Sequence, residues 1–424
     1  MSPPVWNEWE EQEDDPEETR VIFSALDSYA QYAKVAHFNV THLRRQSFYA
    51  LPNEHWKMLS EPPFSYLETL DKADAAIDSN AELSRAILNC GLESFARLVP
   101  RQEGEAPTMP REWAGVAKHS DIDKARSTLR QFYRDWTEDG KRERDLCFGP
   151  VFRALEAQQA SRPGETLSVL VPGAGLGRLV YELCLRGFNV EGNEISYHQL
   201  LASAYILNHC PAASQHTIYP WVHTFSNHTT RENHLRGYPV PDVHPGTLLA
   251  NTANKGTMGM CAADFLCLYG DDAQQNTRDA VASLFFLDTA PNLIRYLEVI
   301  YKVLRPGGIL VNVGPLLWHF ENNPPGSNGG DDDGDGVHDL RNSSGIADPG
   351  SFELTNDEVM ALVERIGFSV EWMETNLETP YIQDRDSMLL NTYRGTAWLA
   401  RKPLEKKEAR SLKGLDALTS DIER

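Results

Sequence analysis

The stretch VLVPGAGLGRLVYEL (Val169–Leu183) constrains this chain more than any other. A short β-rich run leads into three alternating glycines, Gly173, Gly175 and Gly177, and then into an amphipathic helix. Glycine permits the tight turn and the close approach of a ligand, and the helix that follows presents free N–H groups. A second β-rich run, FNVEGNE, and a second helix, SYHQLLASAYILNHC, come next. Strand, turn, helix, strand, helix is the beginning of a parallel α/β sheet. The spacing is G-x-G-x-G. A dinucleotide fingerprint needs Gly or Ala at its sixth position, where this chain has Arg178, so a nicotinamide enzyme is disfavoured.

Further elements follow the same alternation. ASLFFLDT and GGILVNVGP are expected as strands, separated by the helix APNLIRYLEVIYKVLRP. TNDEVMALVERIG reads as a helix, and FSVEWMET and TAWLARKP as the last strands. Residues 211–260 show no periodicity and are expected to form a long irregular connection. The fold class is therefore α/β, with a mostly parallel sheet at 161–403. Residues 21–160 form a helical N-terminal region. Within it, DIDKARSTLRQFYRDWTEDGKRERDLCFGPVFRALEAQ is expected to break at Gly140, and 101–120 reads as a linker. Residues 1–20 are an acidic tail, 404–424 a charged tail, and 322–350 an acidic low-complexity insert. Asp331, Asp333, Asp335 and Gly336 of the insert imitate a calcium loop. The twelfth position is Asn342 instead of a bidentate Glu, so no metal site is expected.

The net charge of −21 argues against a nucleic-acid partner and against an anionic membrane surface. No apolar run approaches the length of a membrane span. The six cysteines contain no CxxC pair and the N-terminus lacks a secretory pattern, which places the expected location in the cytosol, with the nucleus as an alternative.

Three acids stand where a nucleoside cofactor needs them. Glu194 ends the second strand, where a carboxylate accepts ribose hydroxyls; the alternative is a capping acid for the helix near Ser196. Asp264 in CAADFLCLY can accept from an adenine amino group while Phe265 lines the base; the alternative is a turn. Asp288 follows four apolar residues in LFFLDTAPN, at a strand end; the alternative is an N-cap for a helix near Ala290. The helix, Pro-Gly-Gly turn and apolar strand of YLEVIYKVLRPGGILVNVGP complete a pattern that resembles class I methyltransferases using S-adenosylmethionine.

Together, LVPGAGLGRLVYEL, GNEISYHQLLASAYILN, AADF, FFLDTAPNLIRYLE, LRPGGILVNVGPLLWHFE and RSTLRQFYRDWTEDGKRERD resemble the carnosine N-methyltransferase family from about residue 20 to residue 403. The resemblance implies a Rossmann-like seven-stranded core with an added helical N-terminal region, often as a dimer. It implies methylation of an imidazole nitrogen in a His-containing dipeptide, carnosine to anserine. It also implies that Gln131 and Arg134 help bind the cofactor, from a helix whose Leu129, Phe132 and Trp136 pack inward. Asp288, His319 and Tyr393 match the family's substrate pocket, with Tyr393 expected just before the final strand. Asn391 stands where a second pocket Tyr can occur. Two rival readings share these residues: a methyltransferase acting on protein histidine or another small amine, and a non-catalytic scaffold of the same fold.

Overall fold

The computed structural model describes residues 16–98, 108–322 and 350–404. Most of the acidic tail, of the insert with Asp331, Asp333 and Asp335, and of the charged C-terminal tail lies outside the described residues, as does 99–107 of the linker. Nine strands are described: β1 Ser168–Pro172, β2 Asn189–Glu194, β3 His216–Ile218, β4 Tyr238–Val240, β5 Met258–Ala262, β6 Arg278–Leu284, β7 Leu304–Gly314, β8 Ser369–Pro380 and β9 Thr392–Arg401. Seven of them form one sheet in the order β5-β2-β1-β6-β7-β9-β8. Its pairs are parallel except for β7 with β9 and β9 with β8. The strand order reverses between β1 and β6, which creates a switch point at their carboxyl ends, where open α/β sheets bind ligands.

Apolar side chains cover both faces of the sheet. Val169, Val171 and Val311 meet Phe148, Val151 and Leu155 of a helix on one side. Leu170, Val281 and Leu310 meet Leu297 and Ile300 on the other. Strands buried on both faces need continuous apolar runs, as β1 and β7 show.

The helices used below are α1 Pro16–Ala36, α2 Tyr66–Ser94, α3 His119–Trp136, α4 Lys141–Ala160, α5 Arg178–Leu185, α6 Tyr197–Ala204, α7 Phe265–Tyr269, α8 Leu293–Val303 and α9 Asn356–Ile366. The expected break at Gly140 separates α3 from α4. A Cβ there would stand 2.2 Å from the Tyr133 carbonyl oxygen, so only glycine fits this turn.

Two expectations are corrected. The connection 211–260 contains the β3–β4 hairpin, and β5 begins at its end as an edge strand of the sheet. MGMCA lacks β-branched residues and is half-buried throughout, so its pairing with β2 leaves no hydrophobic alternation to read. In addition, β6 begins at Arg278 and ends at Leu284, so Asp288 lies beyond the strand. Phe285 adopts φ 51°, a left-handed conformation that ends extended pairing one residue after Leu284.

The helical region is locked to the sheet at the end of α3. A helix leaves its last carbonyls without partners. Here the carbonyls of Arg134 and Thr137 accept from Arg144 Nη1, each at 2.7 Å. The Asp135 carbonyl accepts from Arg178 Nη1 at 3.1 Å, and the Trp136 carbonyl from the Asp242 N–H at 2.8 Å. The Asp242 carboxylate in turn takes Arg178 on both oxygens, at 2.6 and 3.0 Å, and Arg144 at 2.9 Å. Burial and the neighbouring Arg178 cation push the Arg144 pKa down. Burial pulls Arg178 the same way, but hydrogen bonding and charge from Asp242 prevail and hold it up. Arg178, the residue that spoils the dinucleotide fingerprint, is thus an anchor between α5 and α3. Asp242→Ala leaves two guanidinium groups buried without their carboxylate, and a loss of about 3–5 kcal/mol is expected in denaturant unfolding.

Candidate active site

Glycine is required at the turn between β1 and α5. Gly173, Gly175 and Gly177 have φ of 64°, 57° and 73°, left-handed values that L side chains rarely adopt. A Cβ on Gly173 would lie 2.8 Å from Phe286 Cδ2. One on Gly175 would lie 2.9 Å from Gln199 Oε1 and 3.0 Å from Gln131 Nε2. The turn is therefore packed between the segment after β6, helix α6 and helix α3.

Glu194 ends β2 beside this turn and is buried. Its Oε1 accepts the N–H groups of Ile195 and Ser196, and its Oε2 that of Gly175, all at 2.9 Å. Burial pushes its pKa up, and the three N–H donors pull against that shift. The side chain holds the turn and the start of α6 together. Its Oε2, with one protein donor, is the freer oxygen for a ligand hydroxyl.

Gln131 and Arg134 lie on the buried side of α3, with Leu129, Phe132 and Trp136 packed inward as expected. Asp135 joins the two: Gln131 Nε2 donates to its Oδ2 at 3.1 Å and Arg134 Nε to its Oδ1 at 2.7 Å. Burial lowers the Arg134 pKa, but the Asp135 carboxylate outweighs it and secures the charge. Tyr381 covers the Arg134 guanidinium at 5.1 Å from the ring centroid.

Asp264 N-caps α7 by accepting the Cys267 N–H at 2.9 Å. Phe265 is 4% exposed and packs among Phe286, Tyr269 and Tyr296. The structure places Phe265 in the core, one aromatic layer behind the glycine turn, instead of leaving its ring free to line a base.

Asp288 is 4% exposed, in the turn after β6. The cap of α8 is Asn292, which accepts from the Arg295 N–H, so the capping alternative for Asp288 falls. Asp288 Oδ2 instead accepts the Leu317 N–H at 2.9 Å, and its carbonyl accepts the His319 N–H at 3.2 Å. Burial raises the Asp288 pKa, while the Leu317 N–H and the nearby His319 oppose the rise. The segment after β7 is thereby stapled to the segment after β6, bringing Asp288 and His319 together. His319 is exposed at the edge of the site. Tyr393 lies within β9, opposite Thr379, and not before the strand as expected. Among the described residues, no hydrogen bond or ring contact joins it to Asp288 or His319. Asn391 and Tyr381 pair in both directions: the Asn391 side-chain amide donates to the Tyr381 carbonyl at 2.7 Å, and the Tyr381 N–H to the Asn391 carbonyl at 3.2 Å. Asn391 therefore serves as a backbone clamp.

Asp135, Gln199, Asp242 and Tyr381 are not legible in the sequence as residues of this region. Only the RD pair of QFYRDW carried a signal, an acid beside the Arg it neutralises. Two surface cavities of about 620 and 570 Å³ lie elsewhere, beside Trp372 and Arg401 and beside Phe38 and Arg45.

The residues around the turn fit S-adenosylmethionine. Arg134 and Gln131 offer donors to a carboxylate and Glu194 an acceptor to a hydroxyl. Gln199 Oε1 is a buried acceptor without a protein partner beside Gly175. With the strand order and the switch point, this defines a Rossmann-like class I methyltransferase that uses S-adenosylmethionine. The model of the family described as carnosine N-methyltransferase matches residues 111–404. The carnosine N-methyltransferase of Mus musculus is 32% identical over 384 residues, covering 90% of this chain and 86% of its own length. That of Schizosaccharomyces pombe is 32% identical over 402 residues, 93% of this chain and 99% of its own. A solved SAM-dependent methyltransferase from Methanosarcina mazei aligns with 58% of this chain and 97% of its own at 17% identity and a TM-score of 0.34. The chain belongs to the carnosine N-methyltransferase family and is an N-methyltransferase.

Glu194→Ala removes a hydrogen-bonding carboxylate from the turn. Binding of S-adenosylhomocysteine, measured by calorimetry, is expected to weaken by about tenfold or more; unchanged affinity would contradict the ribose role.

Proposed function

We propose that the enzyme methylates an imidazole nitrogen of carnosine to give anserine, with Asp288 as the group that selects the nitrogen. The observation that supports this most is a buried carboxylate, fixed by the Leu317 N–H, beside His319 at the switch point of the sheet. The family relatives, each named for carnosine N-methylation, point to the same substrate.

S-adenosylmethionine, when bound, supplies a methyl group on a sulfonium that leaves as a neutral thioether. Gln131 and Arg134 would hold its carboxylate, Glu194 its ribose, and Asp264 its adenine amino group. A neutral imidazole has a pKa of about 6.5 and one free lone pair. Asp288 Oδ1 accepts the N–H of one ring nitrogen, which fixes the tautomer and enriches the other nitrogen, as carboxylates do for metal-bound histidines. Alignment with the methyl then accounts for most of the rate, since in-line displacement depends chiefly on orientation. The free ring nitrogen, held by Asp288, would form the new N–C bond with its lone pair, and the C–S electron pair would stay with the departing thioether. The methylated ring is an imidazolium, and its N–H proton passes to Asp288 or to His319 and on to solvent. Tyr393 closes the pocket and donates from its hydroxyl.

Incubation with labelled S-adenosylmethionine, carnosine and a protein extract tests the substrate. Label in anserine supports the proposal; label only in protein overturns it in favour of a protein-histidine enzyme. Asp288→Asn should nearly abolish turnover and leave S-adenosylhomocysteine affinity within about threefold.

The same variant has a stability signature. Burial favours protonated Asp288 in the folded state, so folding raises its pKa above the unfolded value of about 3.9. Ionised Asp288 therefore costs stability at neutral pH, and the cost disappears as pH falls to the unfolded value. Asn mimics the protonated form and can still accept from Leu317. Asp288→Asn should melt higher than the parent at pH 8 by scanning calorimetry, with the difference shrinking toward pH 4.

A further inference from the structure

Glu143 lies in the first turn of α4 and is 6% exposed. An acid in that position commonly serves its own helix N-terminus. This one reaches away instead: its oxygens accept the Ile382 N–H at 2.8 Å and the Gln383 N–H at 2.7 Å, across about 240 residues of sequence. The backbone is unusual at this point, since Ile382 has φ 51°. Arg130 Nη2 of α3 takes the Ile382 carbonyl at 3.3 Å.

What this anchor holds is the segment from Tyr381 to Asn391. Tyr381 precedes Ile382 directly, and its ring lies over the Arg134 guanidinium on one side and against Phe285 on the other, at 5.4 Å. Arg134 belongs to the cofactor-binding helix, and Phe285 begins the turn that carries Asp288. The Arg134 cation also counters the burial that raises the Glu143 pKa. One carboxylate thus touches the electrostatics of the cofactor helix and the backbone of the aromatic wall between that helix and Asp288. Asn233 also holds the segment just past the anchor, donating to Asp384 at 3.2 Å. The far end of the segment is tied separately, where the Met388 N–H donates to the Asn227 carbonyl at 2.8 Å and the Asn391 side-chain amide to the Tyr381 carbonyl at 2.7 Å. Its tip is solvent-facing, with Met388, Leu389 and Leu390 exposed.

We propose that Glu143 is a positioning residue for the substrate pocket: it fixes segment 381–391, and through Tyr381 the width of the cleft between Arg134 and Asp288. The effect on catalysis rests on the substrate reading given above; the effect on the segment does not. An uncompensated pair of buried N–H groups costs more than the hydrogen bonds were worth, so the segment moves when the carboxylate is removed. Glu143→Ala loses both acceptors, and Glu143→Gln keeps one.

Hydrogen exchange by mass spectrometry on the full chain, with and without S-adenosylhomocysteine, decides the first part. Deuterium uptake over 381–391 is expected to rise by about tenfold in rate in Glu143→Ala and less in Glu143→Gln, while β1, β6 and β7 keep their protection. Steady-state kinetics decide the second. KM for carnosine should rise about tenfold in Glu143→Ala with kcat within about threefold, and Glu143→Gln should recover part of the loss. Uptake unchanged at 381–391, or raised equally across the sheet, overturns the proposal, and so does a KM that does not move while the segment loosens. A parent enzyme that leaves carnosine unmethylated overturns the substrate reading alone; the exchange measurement then still decides whether Glu143 holds the segment.

Discussion

The rest of the structure depends on one carboxylate, Asp242, held between Arg144 and Arg178. Arg178 also pairs with Glu182 at 2.9 Å, yet even a balanced buried cluster is a poor way to gain stability, because removing charges from water costs nearly what their attraction returns. Their value is geometric. The arginines also accept the burden of four carbonyls at the end of α3, together with the Asp242 N–H, and so dictate where that helix stops. Trp136 Nε1 adds a bond to the Leu176 carbonyl at 3.1 Å, inside the glycine turn itself. A helical region outside the sheet is thereby registered on the one loop of the sheet that needs partners. Arg134, whose own carbonyl is part of this lock, and Gln131, about one turn before it, are placed beside the glycine turn because of it.

Around the switch point, charges are balanced in pairs and seldom exposed. Arg134 is neutralised by Asp135, Glu194 by three backbone N–H groups, and Asp288 by the Leu317 N–H and the proximity of His319. Asp288 is the least satisfied of these, a buried acid held by the Leu317 N–H and by its own backbone N–H, with an exposed histidine nearby. A carboxylate in that condition is ready to accept a further N–H, and the geometry that makes it destabilising for the fold makes it suited to a ring nitrogen. The folding cost and the proposed chemistry are two consequences of the same burial.

Much of this was legible because it is local. The alternating glycines need left-handed φ wherever the strand turns into a helix, and the structure has all three there. The 3.6-residue period of α3 shows Leu129, Phe132 and Trp136 facing inward without any tertiary knowledge. The break at Gly140 follows from carbonyls that no Cβ could approach. Expectations failed where the deciding partner came from elsewhere. β5 is a strand because β2 offers an unpaired edge, and its own residues do not announce it. Phe265 sits in the core because Phe286 and Tyr296 close over it. For Asp288 only the capping alternative falls, because Asn292 takes that place four residues later.

The sequence by itself determined the class of fold, the position of the glycine turn and the acid, Glu194, that ends the second strand, since periodicity and glycine conformation act over a few residues. Only the tertiary structure decided which distant groups the buried acids meet. Asp242 and Arg178 are 64 residues apart, Glu143 and Ile382 239. No spacing encodes such a meeting. It arises because buried charges and buried N–H groups must each find a partner once packing excludes water, and the fold determines which partner is within reach.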